Sequence, residues 1–150
     1  MKIKYEREIP LPRAQVWEFV KDINNWAPMA PGYQSHEVIS DKEYIWVIKG
    51  EVGPLRRTTK VRVVVTEWVE GERVGFDLTG LNEPISGHGL ITLSDSDGGT
   101  VIRGDGDVTY GGVLGPVVNR LMVPFVQQGS DELLDRIVAT LMKSGRQSAS

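Results

Sequence analysis

The order of the secondary-structure signals constrains the fold more than any other feature of this chain. Lys2 to Ile9 alternates between polar and apolar residues and predicts a first strand. The segment Leu11–Gly32 then carries an apolar stripe, opened by Pro12 and broken at a corner rich in proline and glycine. At least six strand-like segments follow. One strand, a short helical hairpin and then a long run of strands is an order that few folds share.

Within the helical segment, Val16, Trp17, Phe19 and Val20 form the apolar stripe of a first helix. Asp22 is placed to cap a second short helix that ends near Trp26, because its carboxylate can accept from a free backbone N–H.

The middle of the chain predicts an antiparallel meander, since each strand-like segment lies within hairpin distance of the next. The predicted strands are Tyr33–Ile39, Glu43–Lys49, Leu55–Val69, Arg73–Thr79, Ile85–Ser94 and Thr100–Tyr110.

From Val113 the apolar period changes from two to 3.6, which predicts a long C-terminal helix. Pro124 is expected to kink it, because proline lacks a backbone donor. Residues 144–150 are polar and are expected to form a flexible tail. No repeat or linker interrupts the chain, so residues 1–150 are expected to form one domain.

Composition excludes several classes of function. The net charge of -3 argues against binding to nucleic acid, which attracts basic proteins. The absence of cysteine excludes a disulfide scaffold, a cysteine-ligated zinc and a thiol nucleophile. No signal peptide and no membrane-spanning run are seen, so a cytoplasmic protein is expected.

The order of elements predicts an α+β fold in which a curved seven-stranded antiparallel sheet wraps around the long helix and leaves an internal cavity. This arrangement resembles the START-like, or helix-grip, superfamily, and most particularly its carbon monoxide dehydrogenase G-subunit family. The resemblance is carried by Pro12 with Val16-Trp17 and Asp22, Ala30-Pro31-Gly32, Glu51-Val52-Gly53-Pro54 and the glycine-rich last two strands.

The resemblance implies that the protein binds or carries a hydrophobic small molecule or lipid, such as an isoprenoid quinone. It also implies a partner redox enzyme and transient contact with the inner face of a membrane. Two alternatives stay open: a polyketide cyclase, dehydratase or aromatase, and an accessory protein that acts only through protein contacts.

Alternation along the strands and the helical stripe predicts which residues face the cavity. The predicted lining is Val61, Val63, Val65, Phe76, Leu78, Ile85, Gly87, Gly89, Ile91, Gly104, Gly106, Val108, Tyr110, Leu114, Val118, Leu121, Met122 and Phe125. Its four glycines let the sheet bend and the helix approach, or enlarge a ligand chamber, and the two roles are compatible. The lining carries almost no charge, which favours an apolar ligand over catalysis.

The corner after the helical hairpin is the predicted cavity mouth, formed by Trp26, Met29, Pro31 and Tyr33, although core packing explains the same residues. The alternative opening is the start of the long helix, near Gly111-Gly112.

The remaining polar residues suggest no reactive centre. Asp105 and Asp107 alternate with inward residues and are expected to face solvent, as is His88. The faces occupied by His36 and Trp46 stay unassigned. No catalytic residue, metal site or cofactor is predicted.

Overall fold

A computed structural model describes residues 2–52 and 55–149. Gly53 and Pro54, which belong to one of the motifs of the resemblance, lie outside the described residues. The elements are β1 (Lys2–Ile9), α1 (Arg13–Val20), two short 3₁₀ helices (Ile23–Asn25 and Ala27–Met29), β2 (Tyr33–Ser40), β3 (Glu43–Val52), β4 (Leu55–Val69), β5 (Arg73–Gly80), β6 (Ile85–Ser96), β7 (Gly99–Tyr110) and α2 (Gly115–Ala149). The predicted α+β order is confirmed.

The helical hairpin forms as its sequence predicts. Pro12 precedes the first residue of α1, and the Asp22 carboxylate accepts from the backbone N–H of Asn24 at 3.0 Å. The predicted second helix is two 3₁₀ turns, and Trp26 joins them.

All seven strands form one antiparallel sheet in the order β1-β7-β6-β5-β4-β3-β2. Strands β2 to β7 form a meander, and the last of them, β7, pairs with the edge strand β1. α2 passes through Pro124 and continues to Ala149; the flexible tail stays a prediction. No helix within the described ranges is long and apolar enough to cross a membrane.

The best-buried core lies at the end of the sheet that α1 covers. α2 contributes Ile137 and Leu141, which pack with Ile9, Val16 and Leu93. β1 is tied to the same half of α2, because Arg7 pairs with Asp135 at 3.3 Å. Burial beneath this helix raises the pKa of Tyr5 to about 12, against the lowering effect of the neighbouring Arg7 guanidinium.

A carboxylate fastens α1 to the turn between β4 and β5. Glu70 accepts from the indole N–H of Trp17 at 2.7 Å and from that of Trp68 at 3.0 Å. The two indole rings also pack edge to face, with centroids 5.2 Å apart. The bonds from Trp68 and Trp17 hold the pKa of Glu70 below its ordinary value of 4.5.

This contact predicts a pH-dependent stability term. A lowered pKa means that Glu70 stabilises the fold above its unfolded-state pKa, and that this stabilisation is lost as the pH falls through the folded-state value. The Glu70→Gln variant is therefore expected to unfold at lower urea than the wild type at neutral pH, with a smaller difference at about pH 3. Urea denaturation at both pH values measures this, and an equal difference at both would contradict the role of the charge.

Candidate ligand groove and polar cluster

The strand register places the predicted wall residues on one face of the sheet. Residues paired directly across strands share a face, and the pairs include Val63 with Leu78 and Phe76 with Gly89. The same row continues from Gly89 to Gly106 on β7. Of the wall positions predicted on the strands, Gly89 is buried and the others are half-buried. The face is thus apolar but only partly covered.

The first half of α2 is held along the β1 edge of the sheet. The Asn119 side chain bonds both backbone polar groups of Tyr110, and the Gln127 amide donates to the Lys4 carbonyl at 2.9 Å. α2 packs chiefly on β1, β7 and the second 3₁₀ helix.

The exposed apolar residues of the first half of α2 lie on the side of the helix away from these bonds. Two residues of an α-helix correspond to a rotation of about 200°, so Leu121 lies nearly opposite Asn119, and Phe125 nearly opposite Gln127. Leu114 precedes the helix. These three side chains are 68 % (Leu114), 60 % (Leu121) and 45 % (Phe125) exposed. Val118 and Met122, nearer the sheet, are half-buried.

We call the partly covered apolar inward face of β4–β6, beside the first half of α2, the groove. The apolar side chains of the sheet that line it are incompletely covered. Of the predicted lining residues from the helical stripe, Val118, Leu121, Met122 and Phe125 lie in the first half of α2, and Leu114 precedes it.

The four inward glycines serve different purposes. A Cβ on Gly87 would lie 2.6 Å from the Asp107 carbonyl oxygen, so the β7 backbone requires glycine there. A Cβ on Gly89 would lie 2.5 Å from the Phe76 ring, which fills that space. At Gly104 and Gly106 the nearest atoms to a Cβ are 3.7 Å away, an ordinary contact distance. Close approach thus explains the first pair, and the second pair leaves room.

A polar cluster lies at the end of the groove where α2 begins. Glu83, in the loop between β5 and β6, pairs with the Nε of Arg57 on β4 at 2.9 Å. The hydroxyl of Tyr110 donates to the other carboxylate oxygen, and this bond raises the pKa of the tyrosine. The Glu83 side chain is 9 % exposed and the Arg57 side chain is 60 % exposed.

The loop that carries Glu83 is fixed on both sides. The Asn82 side chain accepts from the Lys60 backbone N–H and donates to the Thr58 carbonyl, which ties the loop to β4. On the other side, the Gly111 N–H donates to the Pro84 carbonyl at 2.7 Å. Glu83 is thereby held in position before any ligand arrives.

Two charged residues that the sequence analysis did not include in the lining, Arg57 and Glu83, lie at this end of the groove. Tyr110 was predicted only as a wall residue, and its hydroxyl is part of a charged cluster. Arg57 could have been found, because it has the same strand parity as Val61 and Val63. Glu83 gave no periodic signal, since it lies in a loop.

The residues predicted as the mouth are packed against the body of the protein. Trp26 stacks edge to face on Trp46 at 5.5 Å, and Met29 contacts the main core. Arg136 of α2 donates to the Met29 carbonyl at 2.6 Å. Pro31 is half-buried. The Tyr33 hydroxyl forms a hydrogen bond of 2.6 Å with Nδ1 of His36. These contacts favour the core-packing explanation, and the role as a mouth stays a prediction.

The two faces left unassigned by the sequence are now defined. His36 and Trp46 are cross-strand partners on the inward face, and the other ring nitrogen of His36 bonds Asn24 Oδ1 at 2.7 Å. The Trp46 indole N–H is buried without a hydrogen-bond partner among the described residues.

The outward polar residues lie where alternation predicts. His88 is exposed on the opposite face, between its cross-strand partners Asp77 and Asp107. An open depression of about 430 Å³ surrounds it. Asp105 pairs with Arg103 at 3.2 Å. Within the described ranges, no group of acidic and histidine side chains is arranged to hold a metal ion.

Comparison with known proteins identifies both a family and a fold. Residues 1–142 match the family described as polyketide cyclase / dehydrase and lipid transport. No curated protein is significantly similar to the chain in sequence.

Solved structures share the architecture at low sequence identity. A conserved protein from Geobacillus kaustophilus superposes with a TM-score of 0.82 at 16% identity, covering 96% of this chain and 97% of that one. The Zhui aromatase/cyclase from Streptomyces sp. R1128 gives 0.69 at 13% identity, with 95% and 94% covered. The di-domain aromatase/cyclase StfQ of the steffimycin pathway gives 0.70 at 10% identity, with 97% and 51% covered. At these identities the likeness shows the fold alone.

The glycine contacts predict opposite results for two matched substitutions. Gly87→Ala is expected to destabilise the protein by about 1–3 kcal/mol, because its Cβ would press on the β7 backbone. Gly104→Ala, on the same face of the next strand, is expected to change stability by less than about 0.5 kcal/mol. Urea denaturation of both variants checks this, and equal losses would contradict the distinction.

Proposed function

Because the chain belongs to the polyketide cyclase/dehydrase and lipid transport family, we propose that it binds a hydrophobic small molecule in the groove and carries it without chemical change. The observation that carries this proposal is the incomplete cover of the groove. Apart from buried Gly89, the predicted wall residues on the strands are only half-buried, and the nearby α2 residues Leu121 and Phe125 are 60 % and 45 % exposed. A bound apolar ligand would bury more of this surface.

The free energy available from burying apolar side chains is large enough to bind a small molecule. Burial of a leucine or phenylalanine side chain stabilises by about 1.5–3 kcal/mol. The half-buried side chains of the wall, which include Val63, Phe76 and Leu78, offer enough apolar area to hold a small ligand even after the cost of immobilising it.

The contacts of the two predicted openings favour entry of the ligand beside the start of α2. Gly112 has a positive φ of 86°, and the next residues, Val113 and Leu114, are highly exposed. The corner from Trp26 to Tyr33 is fastened to α2 and β3, so it would have to break more contacts to open.

A cyclase or dehydratase is the second candidate, favoured by the polar cluster. Glu83 could remove a proton next to a substrate carbonyl, and Arg57 could stabilise the resulting enolate oxygen. Glu83 is already engaged by Arg57 and Tyr110, so it would have to exchange a partner for substrate. We therefore rank the carrier first.

The finer expectations from the sequence belong to the same proposal. An isoprenoid quinone would fit the apolar groove. A redox enzyme, or the inner face of a membrane, would meet the protein at the exposed residues Val113, Leu114 and Val117. The third alternative, an accessory protein with an empty groove, predicts tight binding to its partner without any ligand.

Native mass spectrometry of the purified protein, followed by solvent extraction, tests the carrier directly. An apolar molecule that co-purifies and is released by denaturation is expected. A protein that is always empty, and that fails to bind neutral apolar probes, would overturn the proposal.

Filling the groove is expected to weaken binding without unfolding the protein. Val63→Trp places a large side chain on the inward face of β4, whereas Thr79→Trp places the same side chain on the outward face of β5. We expect probe affinity to fall at least about tenfold in Val63→Trp and to stay within about twofold in Thr79→Trp. Fluorescence titration with a neutral apolar dye measures both, and equal effects would argue against the groove.

The enzyme alternative has its own signature. Turnover of an aromatic poly-ketone, lost in Glu83→Gln while dye binding persists, would promote the second candidate over the first. Liquid chromatography of the products is the measurement, and Glu43→Gln is the matched control, because Glu43 pairs with Arg62 on the outward face.

A further inference from the structure

We propose that the cluster of Arg57, Glu83 and Tyr110 makes the groove selective for a neutral ligand that carries a hydroxyl or carbonyl oxygen at one end, and excludes carboxylates such as fatty acids. This inference rests on the proposed function, because it names the class of ligand that the groove takes.

The charge balance of the cluster is the first argument. Arg57 and Glu83 form an ion pair at 2.9 Å, so their charges cancel. A ligand carboxylate placed beside them would bring a second negative charge to one cation. Burying a charge without a counter-ion is costly, whereas a neutral oxygen needs only a hydrogen-bond donor.

The rest of the groove offers no compensating cation within the described residues. Its wall carries apolar side chains. Arg7 lies at the β1 edge and is paired with Asp135. Arg120 of α2 is exposed and lies about 100° around the helix from Asn119.

The cluster still has donors for a neutral oxygen. A guanidinium carries five N–H groups in a fixed plane, and the ion pair with Glu83 uses Nε. The Arg57 side chain is 60 % exposed whereas Glu83 is nearly buried, so the cation faces the groove opening more than the anion does. A carbonyl oxygen can accept from Arg57, and a hydroxyl can also donate to Glu83.

The cluster lies on the inward side of the sheet. Two strands, β5 and β6, separate β4 from β7, yet the Arg57 guanidinium lies 6.0 Å from the centre of the Tyr110 ring. Strands are about 4.8 Å apart, so the side chains must converge across the concave side of the curl. This is the side that the ligand would occupy.

Competition between two probes of equal chain length tests the inference. A neutral dye, N-phenyl-1-naphthylamine, reports occupancy of the groove, and 1-dodecanol or dodecanoate displaces it at pH 8, below micelle-forming concentrations. We expect dodecanol to displace the dye from the wild type at a concentration at least about tenfold lower than dodecanoate does.

Changing the charge balance is expected to reduce or remove the preference. Glu83→Gln leaves the Arg57 cation without its counter-ion, so dodecanoate should bind about tenfold more tightly, and dodecanol should change little. Glu43→Gln makes the same change in net charge on the outward face and should alter neither probe. Arg57→Gln changes an exposed position and should weaken the binding of dodecanoate below that of the wild type. This variant tests the selectivity even if Glu83→Gln does not fold.

The outcomes separate the two proposals. Dye and dodecanol that both fail to bind the folded wild type would overturn the proposed function. Equal displacement by dodecanol and dodecanoate, unchanged in Glu83→Gln and Arg57→Gln, would overturn the selectivity and leave the proposed function standing. Thermal denaturation of each variant shows that it is folded.

Discussion

A curved sheet with one apolar face must cover that face, and here a single helix covers it unequally. The second half of α2 packs Ile137 and Leu141 into the core with β1 and α1. The first half follows the β1 edge, held there by Asn119 and Gln127, and leaves the wall of β4–β6 partly open. Because apolar surface in water is unfavourable, the uncovered half is where a ligand gains most by binding.

The two ends of the molecule are consequently built differently. At the covered end, the Trp17–Glu70–Trp68 contact and the bond from Arg136 to the Met29 carbonyl fasten the helical segments to the sheet and to α2. At the open end, Asn82 holds the β5–β6 loop and Asn119 holds the end of β7 through bonds to their backbone groups. A well-packed end beside a less packed one allows a ligand to enter without unfolding of the protein.

The polar cluster gives this open end its chemistry. Without it, the groove would bind apolar molecules with little discrimination, because dispersion and burial are not directional. The Arg57–Glu83 pair adds directional hydrogen bonding at one point of the groove and has no net charge. The cost of leaving a buried polar group unpaired then discriminates between ligands of similar shape.

The sequence by itself determined the order of elements, the antiparallel meander and the inward face, since periods of two and 3.6 follow from local backbone geometry. It therefore predicted the wall from Val61 to Val108 and the α2 stripe from Leu114 to Phe125. Only the tertiary structure decided how that stripe is used, because the bonds of Asn119 and Gln127 set the rotation of α2, and no local signal encodes them. The same holds for Glu83: a loop residue acquires its partners through the curl of the sheet, which brings β4 and β7 together across two intervening strands.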